Sequence, residues 1–156
     1  MSDATTPGGG GLLRVRRLLP PLWAGLLLCV ALVATPAPFA TLERTQAGLV
    51  VAFIFKREAF LTLAAAMAFV LIERRRARAG LGSQFSTEMA LALGALFFTV
   101  IGYFSLQPMM AEARAGQGAL SFGQLHAVSL VLFGLKILCV LALSWRVAAP
   151  DKAPHS

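Results

Sequence analysis

Read for polarity alone, the chain is a series of long apolar runs separated by short polar segments, and run length limits what each can be. The first, Leu18 to Thr35, holds 18 residues without a charge. As an α-helix it would reach about 27 Å, close to a bilayer's hydrocarbon thickness. Pro20 and Pro21 stand at its start, where a missing N–H does little harm, and Pro36 and Pro38 are expected to end it. The third run, Met89 to Leu106, closes on Gln107-Pro108. Ser86 and Thr87 offer N-caps there, and Glu88 falls in the first turn, where the helix dipole favours an acid. The fourth, Ala127 to Ser144, ends in Trp145 and Arg146, a pair suited to the membrane interface.

The second run needs more care. Ala59 to Ile72 gives only 14 uncharged residues, about 21 Å and too short to cross. Counting back about 20 residues from Ile72 reaches Phe53 and takes in Lys56, Arg57 and Glu58. That triplet then lies in the outer part of the bilayer or at its interface, and Ala47 to Phe55 continues the helix outward or rests on the membrane surface. The fold class expected is an all-α membrane protein, a four-transmembrane-helix bundle with spans near 18–35, 53–72, 89–106 and 127–144. Residues 1–17, with glycines at 8–11, are expected to be a disordered basic tail, 18–146 the membrane domain and 147–156 a short cytoplasmic tail.

Composition fits that picture. Hydrophobic residues make up 58% of the chain and charged ones 13%, more apolar surface than one small soluble domain can hide. The net charge of +7 sits in clusters beside apolar runs, which speaks for orientation and anionic lipid and against nucleic acid. Arg14, Arg16, Arg17, Arg74, Arg75, Arg76, Arg78, Arg146 and Lys152 fall on one side of the spans, and only Arg44 and Arg114 in loops on the other. Nine against two predicts that the N-terminus, the middle loop and the C-terminus are cytoplasmic. A cleaved signal peptide competes for the first run. That run is longer than the usual apolar core of such peptides, and no polar domain follows that would need secretion, so an uncleaved helix is preferred. Cys29 and Cys139 lie in apolar runs with no metal or disulfide spacing and read as small buried hydrophobes. Gly25, Ala64 to Ala66, Ala90, Gly94, Gly102 and Gly134 are candidates for close helix contact.

Three short patterns carry a resemblance. They are Thr35-Pro36-Ala37-Pro38-Phe39, Ala47-Gly48 followed by Phe55, and Phe122-Gly123-Gln124-Leu125-His126-Ala127-Val128-Ser129. Together they resemble a bacterial membrane family catalogued as domain of unknown function 4149, itself similar to the eukaryotic transmembrane protein 205. The match is expected to run from Leu18 to Arg146. The resemblance implies a four-helix integral membrane protein and no established bacterial activity. The eukaryotic relative is linked to drug and metal tolerance.

Chemistry rests on few residues. Lys136 falls near mid-membrane, where a charge is costly and marks a functional candidate. Counted from the cytoplasmic edge, Glu58 is about 21 Å deep and Lys136 about 13 Å, an offset a long lysine nearly bridges. The alternatives are a structural ion pair, a neutral or snorkelling lysine, and a binding or proton-relay site. Lys56 and Arg57 read as an interfacial anchor, or as the lining of an outward-facing cavity. His126 opens the last helix and reads as an interfacial residue; with Met109 and Met110 it would suit Cu(I), without the repeated spacing of a copper site. No phosphate loop, HExxH, GxSxG or carboxylate pair supports catalysis. No metal or other cofactor is expected. The function expected is that of a non-enzymatic accessory protein, contacting a membrane-protein partner or a second copy of itself. The alternative is a small transporter or tolerance protein for a metal ion or a cationic drug.

Overall fold

The computed structural model describes residues 9–149, which are helical apart from short loops, with no strand among them. Four rods follow one another. The first is α1 (Gly9–Cys29), a π-helical turn (Val30–Ala34) and α2 (Pro36–Thr41). The second is α3 (Arg44–Arg78). The third is α4 (Thr87–Thr99), a π-helical turn (Val100–Ser105) and α5 (Leu106–Arg114). The fourth is α6 (Phe122–Ala148).

The prolines bend the sequence-based expectation. A helical proline offers no N–H and presses on the carbonyl four residues back. Pro20 and Pro21, expected at a helix start, lie well inside α1, which begins at Gly9, and the turns before Pro36 and Pro108 widen instead of ending the helix. The Thr35 N–H reaches the Val30 carbonyl at 3.0 Å, five residues back, and the Thr35 hydroxyl donates to the same oxygen at 2.7 Å. The Leu106 N–H likewise reaches the Ile101 carbonyl. Pro36, Pro38 and Pro108 therefore ride inside continuing helix, and the expected stops at Thr35 and Leu106 move to Thr41 and Arg114. Two further boundaries shift. Residues 9–17, expected as disordered tail, are helical, because Leu12 and Leu19 lie half-buried and Arg16 is held by an acid on α3. α6 starts before Ala127, at Phe122, where Ser121 and Gln124 form a reciprocal capping box. Residues 1–8 and 150–156 of the expected tails lie outside the described residues.

α3 is 35 residues long, about 52 Å. Its buried positions Glu58, Ala59, Thr62, Ala66, Phe69, Ile72 and Glu73 recur every three or four residues and form one stripe. The stripe faces α4 and, less extensively, α1, while α6 packs against both α4 and α1. Their shared core holds Trp23, Leu27, Ala66, Phe69, Ala92, Ala95, Val140 and Leu143. Alanines at the α4 contact let backbones approach, and a Cβ at Gly94 would lie 3.4 Å from the Cys139 sulfur. Gly102 meets Leu132 as closely, whereas Gly25 and Gly134 face open space, and Ala90 and Ala64 are exposed. Cys29 is exposed on α1 rather than buried, and both cysteines are free thiols. Leu106, Met110 and Leu125 make a second, smaller cluster holding α5 to α6.

Three rods, Gly10–Thr41, Thr87–Arg114 and Phe122–Ala148, are long and apolar enough to cross a membrane. α3 is not among them. Lys56, Arg57 and Glu58 interrupt its apolar stretch, and Glu73 with the arginines after it closes it.

Candidate functional site

Glu58 and Thr62 are one helical turn apart, so the α3 stripe turns both inward. The Thr62 hydroxyl donates to Glu58 Oε1 at 2.6 Å and accepts the Trp23 indole N–H at 3.1 Å. From α6, the Lys136 ammonium donates to Glu58 Oε1 at 2.9 Å and Oε2 at 2.8 Å. Its nitrogen also lies 4.4 Å from the centre of the Phe133 ring, a cation–π contact, and Phe55 meets that ring edge-on at 5.2 Å. Glu58 and Lys136 are 3% and 4% exposed, so the attraction between them is barely screened by water. The result is a closed relay across three helices, from Trp23 through Thr62 and Glu58 to Lys136. Both carboxylate oxygens are occupied, and the charges cancel.

A second group of polar contacts fixes depth. Glu73 accepts the Arg16 Nε–H at 2.6 Å on Oε1 and the Ser86 hydroxyl at 3.1 Å on Oε2, with Arg76 3.6 Å away. Ser86 also caps α4 by accepting the Met89 N–H, and Glu88 accepts from Arg146 at 2.9 Å. The start of α1, the α3–α4 loop and the end of α6 therefore share one end, and successive rods run antiparallel. Glu58 lies fifteen residues from Glu73, and Lys136 ten from Arg146. Those counts are about 22 Å and 15 Å of helix, the second about half and the first beyond half of a layer about 30 Å thick.

The other candidates stand apart. Lys56 and Arg57 point outward from α3, with the Arg57 guanidinium 5.1 Å from the Phe53 ring, so only Glu58 of the triplet reaches the interior. His126 is exposed and stacks on Phe122, which also carries the Arg114 guanidinium 4.6 Å from its centre. Met110 is buried beside Leu125 and Met109 is exposed. No cluster of three His, Cys, Asp or Glu side chains occurs among the described residues. Sequence reasoning missed Trp23, Thr62 and Glu73. Thr62 was detectable as the residue one turn after Glu58; nothing local marks Trp23 as its donor.

A family model described as Domain of unknown function (DUF4149) matches residues 18–119. The matched segment takes in Trp23, Glu58 and Thr62 and stops before α6, so it excludes Lys136 and the Phe122–Ser129 pattern. No curated protein and no solved structure matches the chain.

Proposed function

The chain belongs to the family described as Domain of unknown function (DUF4149), and from that premise we propose a membrane-embedded accessory role without catalysis. In this reading all four rods cross a bacterial inner membrane as a bundle with both termini cytoplasmic. The protein acts through its outer helix faces on a membrane-protein partner or a second copy of itself. One observation carries the proposal: the mid-depth polar relay is closed, each Glu58 oxygen and the Lys136 ammonium being taken by neighbouring side chains. A substrate site needs groups left free to bind, so recognition falls to the outside. There the first rod offers an apolar stripe, Leu18 and Leu22 on α1 and Leu32 in the π-helical turn, with Gly25 open between them. The distribution of Lys and Arg supports the orientation.

A second reading, a small carrier or tolerance protein for a metal ion or cationic drug, draws on the pair itself, since intramembrane ionisable groups often line transport paths. Two measurements separate the readings. A photo-crosslinking residue at Leu22 or Leu32 should yield an adduct of one discrete mass in cells, and purified protein in proteoliposomes should take up no lipophilic cation under a proton gradient. Uptake that Glu58→Gln abolishes would establish the carrier instead.

A further inference from the structure

The arginines at the end of α3 do more than mark a side. Glu73 is engaged by Arg16, Arg76 and Ser86, and Glu88 by Arg146. Among the described residues Arg74, Arg75 and Arg78 have no carboxylate partner. Arg74 and Arg78 are four residues apart and leave α3 from the same face. Between them and the loop to α4 lies a recess of about 260 Å³, lined by Arg74, Ala77, Arg78, Gln84 and Phe85. Its polar lining can supply cationic and amide donors and offers no carboxylate. A fork of guanidinium N–H groups matches phosphate oxygens in charge and geometry.

The surroundings say what kind of phosphate. Phe85 is 73% exposed and Leu81, beside it in the loop, 64%. Trp145, at the same end of the molecule beside the Arg146 contact, is 81% exposed. Large apolar side chains standing out at one level are unfavourable in water and favourable at the boundary of headgroups and acyl chains. We propose that this recess binds the phosphate headgroup of an anionic phospholipid. Arg74 and Arg78 supply charge and hydrogen bonds, Gln84 adds an amide donor, and Phe85 and Leu81 enter the first methylenes of the lipid. A soluble phosphate ion would use the arginines and gain nothing from the exposed Phe85. The proposal rests on the membrane-spanning reading above.

The test uses the full chain extracted in mild detergent. Native mass spectrometry compares added phosphatidylglycerol with phosphatidylcholine. Wild type should retain phosphatidylglycerol preferentially. Arg74→Gln with Arg78→Gln should weaken retention roughly fivefold per arginine removed. A control that removes the same charge at the same end, Arg17→Gln with Arg75→Gln, should leave it within about twofold. All four side chains are exposed, so neither pair should lower the melting temperature. Equal losses in the two variants would reduce the site to diffuse charge and overturn the proposal. Displacement of the lipid by equimolar inorganic phosphate, or unchanged retention in Phe85→Ser, would overturn the lipid assignment. Recovery of the chain without detergent would instead overturn the membrane-spanning reading.

Discussion

Removing one partner of a buried ion pair leaves a charge with neither counter-ion nor water, so the loss exceeds that from removing both. Glu58→Gln should therefore lower the melting temperature of the detergent-solubilised protein, and adding Lys136→Met should restore part of it. The double-mutant cycle should show coupling of about 0.5–3 kcal/mol, toward the low end because polar contacts in membranes measure weaker than their geometry suggests. Strictly additive changes would mean the 2.8 Å contact contributes nothing. Thr62→Val tests the next link: it takes a donor from Glu58 and orphans the Trp23 N–H, for a loss of about 1–3 kcal/mol. A melting temperature equal to wild type would remove Thr62 from the relay. At this scale the pair was legible, because Glu58 and Lys136 are costly and depth arithmetic put them within reach. Thr62 and Trp23 were not, since each is cheap in an apolar run and gains meaning only from a helix distant in sequence. Glu88, the first-turn acid of α4, is taken by Arg146 and leaves Lys136 to Glu58.

Among the elements, α3 is the exception. The other three rods are apolar enough to enter a membrane unaided, while α3 carries Lys56, Arg57 and Glu58 part-way along. A charge at a helix centre costs about 2.5–3.5 kcal/mol on insertion scales, and Glu58 recovers it only when α6 brings Lys136. Placed singly in a host protein with glycosylation reporters, segments 10–41, 87–114 and 122–148 should insert, and segment 44–78 should insert in less than half of the molecules. Glu58→Leu should raise that fraction. Insertion of 44–78 as complete as that of 122–148 would show that α3 needs no partner. Run length and charge made this weakness readable in advance. Helix ends were less readable, because a proline reads as a stop in sequence, whereas a π turn such as Val30–Ala34 supplies the wider hydrogen bond that lets the helix continue. The turn depends on Thr35 donating backward, a local detail that periodicity does not encode.

For the molecule as a whole, the decisive question is whether α3 crosses. If it lay along the outer surface, the loop at Gly80 would sit opposite the N-terminus, carrying Arg74 to Arg78 with it. Two observations argue against that. The arginines would then fall on the side that short basic loops avoid. Arg16, at the start of α1, could not then contact Glu73, at the end of α3, because α1 would separate them by the thickness of the membrane. The loops give suitable probe sites, since Gly80, Gly116 and Gly118 hold left-handed backbone in exposed turns that tolerate fusion. Reporter fusions after Gly11, Gly80 and Ala149 should all read cytoplasmic, and one after Gln117 periplasmic. Periplasmic readings at Gly80 and Ala149 with a cytoplasmic one at Gln117 would leave α3 on the surface and break the Arg16–Glu73 contact. Periplasmic readings at Gly11, Gly80 and Ala149 together would keep the four crossings and reverse the orientation. Only the pattern with Gln117 alone on the far side satisfies both the charge distribution and the antiparallel ties at Glu73 and Glu88.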